Sequence, residues 1–209
     1  MNKLTDARSD KIFSFAKELE KKDNHEATIV ALLGPYLEAR PKDAAAWFSY
    51  GSALRILGRS NEAMQALSTA LDLAPPKRKF SVSAQIAILA REYRSPAEAK
   101  AWFDRAANDP YCDVGWVWLL RGANLAVLGE WDEALSSYKK AMSLPEVDKD
   151  EALLNMAKIY RAKGDYREAL RLASQALAVR ASDEARSFIN GLEGIQDAID
   201  TMLGSRKRS

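Results

Sequence analysis

The sequence predicts an all-α fold made of antiparallel helix pairs repeated along the chain. Three observations predict it. Ala63, Ala99, Ala134 and Ala169 recur at intervals of 36, 35 and 35 residues, and each follows a glutamate (Glu62, Glu98, Glu133, Glu168). A fixed period of about 34 residues is the mark of one structural unit copied along a chain. Apolar residues also fall at helical spacing, with Trp47, Tyr50, Gly51 and Leu54 at i, i+3, i+4 and i+7. Finally, Gly58 and Pro75-Pro76 punctuate this unit where a turn and a stop are needed.

Taken in order, residues 1–41 read as a degenerate first repeat. Ile12, Phe13, Ala16, Leu19 and Glu20 give an amphipathic helix, and Asp23-Asn24 read as its end and the next cap. A second helix is expected from about Glu26 to Ala39, before Pro41. Its register reads two ways. Aligning Ala27 with the repeat alanines leaves two extra residues before Pro41, whereas aligning Ile29 leaves none and puts Leu33 and Tyr36 at the large positions. The unit at 44–77 is helix, tight turn, helix, stop, with Ala63, Leu67, Ala70 and Leu71 on one face of the second helix. The unit at 80–113 is the weakest. Ala99, Phe103 and Ala106 fit its second helix, and Pro96 sits at a natural helix start. Units follow at 115–148 and 150–183. In residues 184–203, Phe188, Leu192, Ile195, Ile199 and Met202 keep helical spacing, as expected of a helix that caps the array. Gly191 and Gly194 weaken that helix, and residues 204–209 read as a basic, disordered tail.

Composition narrows the chemistry. The 209 residues are 47% hydrophobic and 29% charged, and 31 basic against 29 acidic residues leave a net charge of +2. That balance lacks the strongly basic footprint of a dedicated nucleic-acid binder. Cys112 is the only cysteine, so no internal disulfide can form and a reducing compartment fits. His25 is the only histidine, which leaves neither a Cys–His catalytic pair nor a zinc ligand set. Gly191-Leu192-Glu193-Gly194 lacks the lysine and flanking strand of a phosphate loop. Asp148, Asp150 and Glu151 precede a helix, where acidic residues are favoured by the dipole without any metal. The opening residues, Met1 to Asp6, carry no apolar signal core. The most apolar stretch, Val114 to Leu128, is interrupted by Arg121 and Asn124 and is shorter than the ~20 residues of a membrane span. The expectation is a cytoplasmic, non-enzymatic protein without cofactor or metal.

The repeat residues resemble the tetratricopeptide repeat (TPR) family, whose pattern is Trp, two residues, Leu-Gly, two residues, Tyr, then Ala, three residues, Phe, then Pro. Here it reads Trp47, Tyr50-Gly51, Leu54, Ala63, Leu67 and Pro75. It recurs as Trp118, Arg121-Gly122, Leu125, Gly129, Ala134, Tyr138 and Ala141, with Pro145 one place early. A third copy is Leu153, Met156-Ala157, Tyr160, Gly164, Ala169 and Ala176, without the proline. The resemblance implies one TPR-like domain over 1–209, a right-handed superhelical solenoid of antiparallel helix pairs with a C-terminal capping helix. The small residues let paired helices approach, and the large ones fill the space between units.

The resemblance also implies that the first helix of each pair faces ligands through its positions 2, 5, 9 and 12. On this chain those are Ala45, Phe48, Ser52 and Arg55; Ser81, Ala84, Ile88 and Arg91; Trp116, Leu119, Ala123 and Ala126; and Glu151, Leu154, Lys158 and Arg161. A base recurs as Lys21, Arg55, Arg91 and Arg161. It reads either as a basic ladder for carboxylates or as solvated bases favoured at helix C-termini. Phe48, Ile88, Trp116, Leu119 and Leu154 read either as an apolar anchor strip or, at Trp116, as packing between units. Phe48 and Ser52 stand where co-chaperones of this family carry the Lys and Asn of their carboxylate clamp, so the chain departs from that pattern. The expected function is a non-catalytic scaffold that holds a peptide or helix of a partner protein, with acidic and apolar residues, in a concave groove. The alternative is a chaperone or assembly factor whose groove is filled by its own C-terminal helix or by a second copy in a homodimer.

Overall fold

The computed structural model describes residues 6–206, with side chains described for 9–195. Among these residues every regular element is a helix. Eleven α-helices follow one another: α1 Asp6–Leu19, α2 Glu26–Ala39, α3 Ala44–Ile56, α4 Ser60–Leu73, α5 Lys79–Tyr93, α6 Pro96–Ala107, α7 Gly115–Val127, α8 Trp131–Met142, α9 Lys149–Ala162, α10 Tyr166–Val179 and α11 Asp183–Arg206. One turn of 3-10 helix, Pro76–Arg78, precedes α5. The chain forms two compact units, Met1–Cys112 and Asp113–Ser209.

In the first unit α1–α2, α3–α4 and α5–α6 pair as hairpins, and α2 and α4 also pack on the helix that follows. The turns are made by local chemistry. Gly58 closes α3 with φ +74°, a left-handed conformation that a glycine adopts without strain. The Asp43 carboxylate accepts from the backbone N–H groups of Ala45 and Ala46, both at 3.0 Å, and so caps α3. The Ser95 hydroxyl caps α6 by accepting from Glu98 N at 3.1 Å, with Pro96 in the first turn. At the first turn of this unit the structure differs from expectation. His25, not Asn24, takes the N-cap position of α2 and makes no side-chain cap, while Asn24 adopts φ +64°. A short polar side chain tolerates that region, so Asn24 serves as the turn rather than the cap. Ile29, Leu33, Tyr36 and Leu37 are the buried residues of α2, the face that aligning Ile29 places in the repeat.

The second unit holds the hairpins α7–α8 and α9–α10, and α11 packs on α10. Gly129 and Gly164 repeat the positive-φ turn of Gly58, at +77° and +81°. Close approach explains the small residues. A Cβ on Gly122 would lie 2.7 Å from the Tyr138 ring, and in the first unit one on Gly51 would lie 2.8 Å from Leu67. Ala134, Ala141, Ala152, Ala157, Ala169 and Ala173 are fully buried around Leu125 and Tyr138. α11 presents Ala185, Phe188 and Leu192 to this core. It continues to Arg206, so residues 204–206 are helical rather than a disordered tail. Ile199 and Met202 fall where only the backbone is described, and the rest of the tail lies outside the described residues.

Candidate functional site

In the first unit the expected ligand positions on α3 and α5 divide between an open pocket and the helix packing. Ala45, Phe48 and Ser81 line a pocket of about 420 Å³, together with Phe13 and Lys17 of α1 and Arg78 and Val82 near the start of α5. Phe13 is held in place by stacking on Tyr36, with ring centroids 5.7 Å apart. Tyr36 is 1% exposed, and its hydroxyl donates to Asp43 Oδ2 at 2.6 Å. Burial first, and the Asp43 carboxylate second, push the Tyr36 phenol up to about 12. Ser52 faces the other way. It borders a small cavity of about 80 Å³ with Glu20, Glu26 and Ser49. Ala84 is fully buried and Ile88 is half-buried.

The basic positions of this unit are engaged within it. Arg55 Nη1 donates to both carboxylate oxygens of Glu92, at 2.8 and 2.6 Å, and the Tyr93 hydroxyl donates to the Arg55 carbonyl at 3.0 Å. The Arg91 guanidinium lies 5.9 Å from the centre of the Phe103 ring. Lys21 pairs with Glu18 at 3.1 Å. Arg55 and Arg91 lie in the last turns of α3 and α5, whereas Lys21 falls in the turn after α1, and spacing alone could not show that α5 supplies Glu92 opposite Arg55.

In the second unit, Leu119 and Leu154 are 5% and 6% exposed and belong to the core, so they are not open anchors. Trp116 is half-buried. Ala123, Ala126 and Lys158 line an apolar pocket of about 390 Å³ with Val127, Trp131 and Ile159. Lys158 Nζ donates to Glu184 Oε1 at 2.8 Å, and the Arg161 guanidinium stacks 4.7 Å from the Phe188 ring centre. Both of these expected ligand contacts are therefore made to α11 of the same chain. A second, polar pocket of about 260 Å³ lies beside Asp150, Glu151, Asn155 and Arg180. Arg180 pairs with Asp150 at 2.6 Å and with Asp148 at 3.8 Å, which accounts for the acidic cluster seen in the sequence. Burial, then the charges of Asp148 and Asp150, raise the Glu151 carboxyl above its ordinary range.

The residues of the first-unit pocket that sequence reasoning missed include Phe13, Lys17, Pro75, Arg78 and Val82. Pro75 closes its repeat and Arg78 sits between repeats, and the family pattern assigns a ligand position to neither. Phe13 lies in the degenerate first repeat. The only available signal was the run Lys77-Arg78-Lys79 after Pro75-Pro76.

Helix pairs of this length, glycine-closed turns and small residues at the crossings define a helical-repeat protein. Sequence profiles described as tetratricopeptide repeat match residues 30–77 and 113–182, together more than half of the chain. The chain belongs to the tetratricopeptide repeat family. The family's repeat is generally a non-catalytic protein-interaction fold. No curated protein matches the sequence. Among solved structures, the chain is similar to PilW, a widely conserved type IV pilus biogenesis factor, at 17% identity and a TM-score of 0.72, covering 94% of each chain. It is also similar to YrrB, described as a TPR protein with an unusual peptide-binding site, at 20% identity and a TM-score of 0.64, covering 83% of this chain and 87% of that one. A thermophilic TPR protein of Thermus thermophilus matches at 22% identity and a TM-score of 0.64, covering 88% of this chain and 98% of that one. At these identities the likeness is one of fold. No helix among the described residues is long and apolar enough to cross a membrane.

Proposed function

We propose that this protein is a non-catalytic scaffold that binds a peptide or helix of a partner protein, carrying apolar and acidic residues, on the faces of its leading helices. The observation that carries the reading is the placement of the open pockets. Each compact unit has an apolar pocket lined by residues at leading-helix ligand positions: Ala45, Phe48 and Ser81 in one, Ala123, Ala126 and Lys158 in the other. Concave, mostly apolar pockets with a few polar groups at the edge are where ligands bind. The peptide-binding site of YrrB, a fold neighbour, adds support by analogy.

The test is selection of peptides from a random displayed library against the full chain. Selected peptides should bind the wild type and lose affinity to Ala45→Phe, which fills one pocket, or to Ala123→Phe, which fills the other. Peptides that bind both variants as well as wild type, or a library that yields none, would reject the reading.

The assembly reading keeps one supporting observation. Glu184 and Phe188 of α11 occupy Lys158 and Arg161, two expected ligand contacts, as a self-filled face would require.

A further inference from the structure

We propose that the first-unit pocket is the specificity site, and that it takes one bulky apolar side chain of a partner segment whose neighbouring residues are carboxylates. This rests on the scaffold reading above and names the chemistry of the ligand. Three features of the pocket point to it.

The pocket is preformed and apolar. Phe13, Phe48, Pro75 and Val82 wall it, and alanines at 44, 45 and 74 leave it open. At about 420 Å³ it falls within the ~300–1,000 Å³ range of ligand clefts. Phe13 is fixed by its stack on the buried Tyr36, so its side-chain freedom is already restricted before a ligand arrives.

Its rim is basic, and the charge is uncommitted. Arg78 lines the pocket, with Lys77 and Lys79 as its chain neighbours, and none of the three forms an ion pair with a described residue. Elsewhere in this unit the cations are mostly engaged: Arg55 with Glu92, Arg40 with Asp10 and Lys17 with Glu20. Arg78 sits on the short 3-10 turn, held by its own N–H donating to Pro75 O at 2.8 Å. Its backbone position is thus fixed while its guanidinium is free to grip a carboxylate through two parallel bonds.

The combination selects against other anions. A nucleic-acid phosphate or a lipid headgroup would satisfy the basic run but leave the apolar pocket empty. An acidic segment bearing a Phe or Leu satisfies both.

The experiment uses the full chain and fluorescence anisotropy. The probe is a labelled peptide, Glu-Asp-Glu-Phe-Leu-Asp-Glu-Asp. One control replaces Phe-Leu by Ser-Ser, and a second replaces every acid by lysine. The probe should bind, both controls should be weaker by about tenfold or more, and added salt should weaken the probe. Arg78→Glu and the pocket-filling Ala45→Phe, both at exposed positions, should each lower affinity by about tenfold or more, with helicity unchanged by circular dichroism. Arg78→Lys should retain part of it. Equal binding of the Ser-Ser control, or tighter binding of single-stranded DNA or anionic vesicles than of the probe, would overturn the proposal. So would an affinity that ignores both variants. A library-selected peptide that loses affinity to Ala123→Phe while the acidic probe is ignored would remove this inference and leave the scaffold reading standing.

Discussion

At the scale of single residues, Tyr36 links packing to chemistry in the first unit. It fills the core between α1 and α2, stacks under Phe13 and donates to the Asp43 carboxylate that caps α3. Its phenol is raised from 10.0 to about 12, so the folded state holds the proton more tightly than the unfolded chain does. That contribution to stability is complete below the unfolded value and is lost as pH rises through the folded one. We expect wild type to lose stability between pH 10 and 12 more steeply than Tyr36→Phe, measured by urea midpoints at stepped pH. Parallel curves for the two proteins would show that the hydroxyl does not couple to folding. Gly115 makes the opposite case, where a side chain has no room. A Cβ there would lie 2.6 Å from the Ala141 carbonyl oxygen and 3.0 Å from that of Pro145. Backbone atoms cannot swing aside as the far end of a side chain can. Gly115→Ala should therefore cost about 2 kcal/mol, overpacking outweighing the gain in helix propensity. A denaturation midpoint at or above wild type would refute this.

At the scale of elements, α11 completes the second unit. An unpartnered α9–α10 pair would expose its apolar face, and Ala185, Phe188 and Leu192 cover it. Phe188 is 8% exposed and lies under the Arg161 guanidinium. Phe188→Ala should destabilise by about 3 kcal/mol, near the low end for a buried phenylalanine because the site lies on the terminal helix. In the same helix Gly191 has open space where a Cβ would go. Gly191→Ala should then raise stability, by up to about 1 kcal/mol. Urea unfolding of both variants tests whether α11 is a structural cap, and no change in either would leave the cap without support. The helix order was legible from the sequence because it depends on local signals: the alanine period, glycine turns and proline stops. The cap of α2 was not. By residue type Asn24 is the credible cap, and the positive φ that makes it a turn instead depends on how the chain leaves α1.

At the scale of the whole molecule, charge and shape divide the work within each unit. A net charge of +2 gives little long-range field, so recognition depends on local clusters. Which of the expected helix-face positions border an opening was partly readable. Phe48, Ala45, Ser81, Ala123, Ala126 and Lys158 do line pockets. Leu119 is closed over by neighbouring helices, Leu154 is buried at the edge of the polar pocket, and Arg55, Arg91 and Arg161 meet Glu92, Phe103 and Phe188 within the chain. These outcomes depend on residues dozens of positions away, such as the 37-residue separation of Arg55 and Glu92. This also changes what a charge reversal would report. Arg55→Glu would face Glu92 and disturb the fold, whereas Arg78→Glu leaves the packing intact and reads only the pocket.

By itself the sequence determined the family, the all-helical repeat, the turn glycines and the crossings that require small side chains. All of these follow from contacts within one hairpin or from backbone conformations that only certain residues adopt. The tertiary structure decided which of the helix-face residues remain available and where an opening forms. Burial and ion pairing arise between helices of successive hairpins, and a pocket made by Phe13, Phe48, Pro75 and Arg78 exists only once three separate stretches of chain are brought together.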